Sequence, residues 1–249
     1  MRILAADTAT KSCSVAIVDK ESLLAEVTIV SGRTHSKHLI DIVNKVIGLS
    51  GLTLSDLDGF AVTRGPGSFT GLRIGISSIK GLAVAVGKPV VGVSILDALA
   101  MQTAIHSYLI CPLLDARKGE VYFSRYHYQD GTLKKELKEQ VSDPDLAVAD
   151  IDEACIFIGD GALLHKKTIA AKIGAYAYFV PPYQNTIRAS SVAYLSMDRF
   201  EKKDTDDVGR LVPNYIRKSD AELGFGEKND SIHTIPFQNK DIIDNLFVI

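Results

Sequence analysis

Arg64-Gly65-Pro66-Gly67-Ser68-Phe69-Thr70-Gly71-Leu72-Arg73-Ile74-Gly75 is the densest signal in the chain. Gly-Pro-Gly is a turn, Ser68 or Thr70 is placed to cap, and a helix is expected to run to about residue 86. At about 100° per residue, Gly71, Gly75, Ser78, Gly81 and Ala85 share one side of that helix. Bulky Leu72, Ile76, Ile79, Ala83 and Val86 cover the adjacent side, and Arg73 and Lys80 fall in a narrow third stripe. Glycine inside a helix costs about 1 kcal/mol relative to alanine. Close backbone approach by another element is the expected compensation, so the helix is read as packed on two sides.

Upstream, residues 59–64 read as a strand, and Gly51 closes a helix that begins at Thr34 or His35. Its apolar residues Leu39, Ile40, Ile42, Val43, Val46, Ile47 and Leu49 span an arc of roughly 180°, wider than the stripe of about 100° that rests on one sheet. The excess implies a second covered surface. Residues 2–7, 12–18 and 23–30 are short strands at a spacing that only an antiparallel meander allows. Downstream, residues 90–93 form a strand and Ser94 caps a helix to about residue 107. The pattern then starts over. Residues 109–115 and 120–128 are strands, Gly131 marks a hairpin turn, and Asp143-Pro144 opens a short helix. Residues 155–158 are a strand leading through Gly159-Asp160-Gly161-Ala162 into a helix to about 173. A strand at 176–180 and a helix from Ser190 or Ser191 to about 200 complete the repeat. Two similar α/β lobes are predicted, residues 1–104 and 105–225, with 226–249 as a tail of unassigned role.

Composition narrows the function classes. With 249 residues, 46% of them hydrophobic, the chain can build a sizeable core without staples. Twenty-eight basic against 30 acidic residues give a net charge of −2, which disfavours autonomous nucleic-acid binding. Cys13, Cys111 and Cys155 lie in apolar, strand-like runs and read as reduced, buried thiols. No apolar run approaches the ~18–20 residues of a membrane span. Met1-Arg2-Ile3-Leu4 enters a strand at once, without space for a signal peptide. A cytoplasmic protein without membrane contact is expected.

Asp7-Thr8-Ala9-Thr10, Thr34-His35-Ser36, the twelve-residue glycine segment, Asp115-Ala116-Arg117-Lys118-Gly119-Glu120-Val121-Tyr122 and Pro213-Asn214-Tyr215-Ile216-Arg217 resemble the TsaB (YeaZ) family. That family lies in the actin/hexokinase/Hsp70 (ASKHA) superfamily, and the resemblance covers roughly residues 1–222. It implies two tandem actin/hexokinase-like (ASKHA, RNase H-like) lobes with mixed sheets flanked by helices. It further implies a bacterial subunit of the machinery that makes threonylcarbamoyladenosine beside the tRNA anticodon. Such a subunit binds the catalytic paralogue TsaD, is joined by the ATPase TsaE, and forms a homodimer when alone. It is regarded as a non-catalytic scaffold and meets tRNA only through the complex. ATP and Mg²⁺ are used by the complex and not bound by the lone chain. Both pairings are expected through the first-lobe helices, at Leu39, Ile42, Val43 and Val46 on one and Thr70, Gly71, Gly75 and Ser78 on the other.

The competing reading is an autonomous ASKHA-type ATPase or kinase, with Asp7, Thr8, Thr10 and Asp115 at a nucleotide site. Active relatives bring glycine hairpins against the phosphates because only a residue without Cβ allows that approach. Here Ala9 and Arg117 stand where glycine is expected, so the site reads as vestigial, although Asp7 and Asp115 retain the oxygens to hold a hydrated Mg²⁺. Gly65-Pro66-Gly67 lacks the Gly-Lys-Ser/Thr ending of a P-loop. Gly159-Asp160-Gly161 reads as turn geometry. His35 and His38 form a polar helix edge and no metal site is expected. Ser68 sits in Gly-Ser-Phe-Thr-Gly without an evident histidine, which makes a peptidase the least supported reading. Arg188, Arg199, Lys202, Lys203, Arg210, Arg217 and Lys218 are interleaved with acids and read as a solvated face.

Overall fold

The computed structural model describes residues 1–20, 22–30, 38–103 and 107–217. Two five-stranded mixed sheets form, each entirely within one half of the sequence. In the first, β1 (Arg2–Asp7), β2 (Ser12–Asp19) and β3 (Ser22–Val30) make the antiparallel meander, and β4 (Gly59–Gly65) and β5 (Val90–Ser94) add in parallel beside β1, giving the order β3-β2-β1-β4-β5. The second repeats this with β6 (Leu109–Arg117), β7 (Glu120–Gln129), β8 (Thr132–Ser142), β9 (Cys155–Ile158) and β10 (Ala177–Phe179), in the order β10-β9-β6-β7-β8.

Helices α1 (Leu39–Ser50) and α2 (Phe69–Val86) cover the outer face of the first sheet, and α4 (Pro144–Ala147), α5 (Asp160–Leu164) and α6 (Lys166–Ile173) that of the second. The inner faces are closed by α3 (Ile95–Met101) and α7 (Ala189–Glu201). These two helices are exchanged: α7, from the second half, lies on β1, β2, β4 and β5, while α3, from the first, lies on β6. Strand alternation explains why the middle of β1 is apolar at every position, since both of its faces are covered. Ile3 and Ala5 point to the inner core and Leu4 and Ala6 to the outer one, all four fully buried. Residues Met1–Ile216 form one compact unit around these three cores.

Several boundaries differ from the sequence reading. The first helix begins at Leu39 after His38; Thr34, His35 and Ser36 lie outside the described residues. Helix α3 stops at Met101 rather than near 107, and the helix expected up to 173 is broken at His165 into α5 and α6. The tail 226–249 lies outside the described residues. Helix α2, at 18 residues, is long and apolar enough to cross a membrane, contrary to the expectation that no such run exists. Its apolar side, Leu72, Ile76, Ile79 and Ala83, is instead packed against the sheet, and Lys80 donates to the carbonyls of Gly209 and Leu211. That is the placement of a core helix. Cys13, Cys111 and Cys155 are all free and buried, as expected.

Candidate functional site

The Gly65–Gly75 segment, the β1–β2 connection and residues 213–216 meet at one place. Ser68 caps α2, its Oγ accepting from the Gly71 amide at 3.3 Å. The Ser68 amide donates to the Ala9 carbonyl at 2.7 Å, and Thr8 Oγ1 donates to the Gly71 carbonyl at 2.7 Å. A Cβ on Gly71 would strike the Thr8 carbonyl, and one on Gly75 the Thr8 hydroxyl. On the other side, the Asn214 amide donates to the Arg64 carbonyl at 2.6 Å, and a Cβ on Gly65 (φ 128°) would lie 2.5 Å from the Asn214 carbonyl oxygen. The Tyr215 ring stacks on Phe69 at 4.8 Å, Arg73 lies 3.7 Å over the Phe69 ring, and Arg73 Nε donates to the Tyr215 hydroxyl at 3.1 Å.

The close approach that the α2 glycines imply therefore exists, but the approaching element is the chain's own first hairpin. Gly71 and Gly75 are buried against it. Leu39, Ile42, Val43 and Val46 likewise face the first sheet, each at most 3% exposed. These six residues are core, which corrects the expectation that they form a partner face; a helix on a sheet turns its most apolar arc inward. Thr70 is exposed and Ser78 half-buried. The outward faces carry other residues: Ile40, Leu49 and Val84 are exposed, and neither Gly48 nor Gly81 has anything within 4 Å of an added Cβ.

The hairpin pair expected to hold a nucleotide does converge, but its first half is sealed. Asp7 and Thr8 are buried, Asp7 completely, and Ala9 is 1% exposed. Asp7 Oδ1 accepts from Thr63 Oγ1 at 2.7 Å and the Ala9 amide at 3.2 Å, while its Oδ2 has no partner among the described residues. Burial pushes the Asp7 carboxyl up to about 6 against the relief of those two donors, with the Asp160 carboxylate raising it further. Thr10 bonds Ser12, its Oγ1 lying 2.9 Å from Ser12 Oγ. In the second hairpin the Asp115 amide donates to Asp160 Oδ1 at 3.0 Å, and Asp115 Oδ1 accepts from the Arg117 amide at 2.8 Å. Arg117 holds the positive φ, 62°, at which glycine is the usual residue. With the Ala9 amide committed to Asp7 and the loop covered by the α2 turn, these residues do not fit a phosphate cradle.

Ser68 serves as the α2 cap, and Arg188, Arg199 and Lys202 are paired with Glu26, Asp204 and Asp206, and Asp198. Among the described residues no group of three or more His, Cys, Asp or Glu is placed to hold a metal; His35 is not among them.

A family profile described as "TsaD: tRNA N6-adenosine threonylcarbamoyltransferase" matches residues 23–225. The chain is 32% identical over 225 residues to the tRNA threonylcarbamoyladenosine biosynthesis protein TsaB of Bacillus subtilis, covering 89% of this chain and 96% of that one. The chain belongs to the TsaB family. The solved structure of YeaZ from Pseudomonas aeruginosa agrees, with a TM-score of 0.74 at 28% identity over 86% of this chain and 99% of that one. Component A of (R)-2-hydroxyglutaryl-CoA dehydratase from Acidaminococcus fermentans shares the fold alone, with a TM-score of 0.50 at 11% identity over 80% and 98% of the two chains. This TsaB-family chain thus has the predicted architecture, two actin/hexokinase-like (ASKHA) units of mixed sheet flanked by helices. What residue patterning missed was which TsaB-family motifs serve each other: the glycines of α2 answer to Thr8, and Gly65 answers to Asn214.

Proposed function

We propose that the chain acts in tRNA threonylcarbamoyladenosine biosynthesis as a non-catalytic subunit that docks on TsaD through the outward faces of α1 and α2. Family membership supports the pathway. The observation that carries the docking face is the set of exposed Ile40, Leu49 and Val84 beside two glycines, Gly48 and Gly81, that leave open space over the helices. Apolar side chains ringed by small residues suit close helix approach by a second chain, either TsaD or another copy. The sealed first hairpin and Arg117 in the second argue against nucleotide turnover by the lone chain. On this reading ATP and Mg²⁺ belong to the complex with TsaD and TsaE, and tRNA is met there.

The test is threonylcarbamoyl transfer to tRNA by purified TsaD and TsaE, with and without this protein. Transfer is expected only in the full mixture, with no ATP turnover by the chain alone. Gly81→Trp, which fills the open space without touching the fold, is expected to weaken binding to TsaD at least tenfold. Transfer that ignores the protein, or ATP hydrolysis by the lone chain that is lost in Asp7→Asn, sinks the reading.

A further inference from the structure

A cavity of about 770 Å³ opens on the far side of the first hairpin, between the end of β5, strand β8 and helix α7. That volume is within the range of small-molecule sites, about 300–1,000 Å³. Gly92, Val93 and Ser94 at the end of β5 line it, with Leu195 and Ile216 as apolar lining.

The charges around it do not balance locally. All three acids of the lining are engaged. Asp97 accepts from the Tyr126 hydroxyl at 2.6 Å and pairs with Lys135 at 2.7 Å. Glu139 takes the Ser94 hydroxyl, Lys135 at 3.2 Å and the Asn214 amide nitrogen at 3.1 Å. Asp206 accepts from the Gly92 amide at 2.7 Å and pairs with Arg199 at 3.1 Å. Lys135 and Arg199 are thereby neutralised. Arg64 and Lys138 also line the cavity, and among the described residues neither guanidinium nor ammonium has an ion-pair partner. Four cations thus face three carboxylates, a local excess of one positive charge. The carboxylate oxygens are already engaged by donors, while the Arg64 guanidinium, which acts on Asp206 through its charge, and the Lys138 ammonium keep their own hydrogen-bond donors for an anion.

We infer that this cavity binds a small organic or inorganic oxyanion, phosphate- or carboxylate-bearing, whose charge is neutralised by Arg64 and Lys138. The paired acids hold the shape of the site, and Leu195 and Ile216 cover the uncharged part of the ligand. Asn214 ties two sides of the cavity together, its backbone amide donating to the Arg64 carbonyl at 2.6 Å and its side-chain amide to Glu139 of β8 at 3.1 Å.

The test is isothermal titration of the full chain with inorganic pyrophosphate, AMP and citrate, the three probes separating phosphate, nucleotide and carboxylate sources. At least one is expected to bind with Kd below about 1 mM. The double variant Arg64→Gln/Lys138→Gln, at two exposed positions without ion pairs, is expected to weaken that binding at least tenfold with Tm unchanged. Asp7→Asn, at the sealed hairpin, is expected to leave it unchanged. The inference fails if none of the probes binds at about 10 mM, if the double variant binds as tightly as the parent, or if Asp7→Asn abolishes binding and so moves the ligand to the hairpins.

Discussion

Asp7 is a completely buried carboxyl, carrying one oxygen to which no group among the described residues donates. Its folded pKa of about 6 lies above the ordinary 3.8, so between those values the folded chain holds a proton that the unfolded chain has released. Stability therefore falls as pH rises from about 4 to about 6 and levels off above that. Asp7→Asn is expected to abolish that slope and to raise stability at pH 7 by about 3 kcal/mol, the equivalent of roughly two pKa units. Urea unfolding at pH 4, 5, 6 and 7.5 measures both; a variant no more stable than the parent at pH 7.5 refutes the account. The sequence marks Asp7 as an acid after a first strand, but whether that acid faces a ligand or the core depends on Thr63 and Ser68, some 60 residues away.

Helix α2 carries its glycines for two reasons, and its variants should divide accordingly. Gly81 has open space beside it, so Gly81→Ala removes only the backbone entropy of glycine and should stabilise by about 1 kcal/mol. Gly75→Ala sets a methyl against the Thr8 hydroxyl and should destabilise, despite the same gain in helix propensity. Thermal unfolding of the two single variants checks this, and equal shifts of the same sign would show that the hairpin does not constrain α2. Most of the architecture is legible because strand alternation, turn glycines and helix arcs are local. The inward direction of Leu39, Ile42, Val43 and Val46 is not, since a 180° apolar arc identifies two covered faces without saying which is the sheet. Strand β8 is equally hard to read, with its apolar residues Leu133, Leu137 and Val141 four apart and its charges exposed along a sheet edge. The cavity beside it depends on pairings between residues 45 to 114 positions apart, which no periodicity carries.

For the whole molecule, the exchange of α3 and α7 means that neither half closes its own core. A fragment of residues 1–103 would expose Ile3, Ala5, Ala16 and Val18, which α7 covers with Val192 and Ala193. Burying that face is worth about 25 cal/mol per Å², and without it the fragment is expected to lack native chemical-shift dispersion; a well-dispersed amide spectrum would refute this. The start of α7 is also capped from afar. Glu26 on β3 accepts from the Ser190 amide at 3.0 Å and the Ser190 hydroxyl at 2.9 Å and holds Arg188, and Ser14 on β2 accepts from the Ala189 amide at 3.0 Å. These bonds span 164 and 175 residues. A ribosome adding about 5–20 residues per second takes on the order of 10–30 s between making the cap and making the helix it serves. Through that interval the apolar residues of the first half have no α7 to cover them, and they lie open to any chaperone at the exit tunnel.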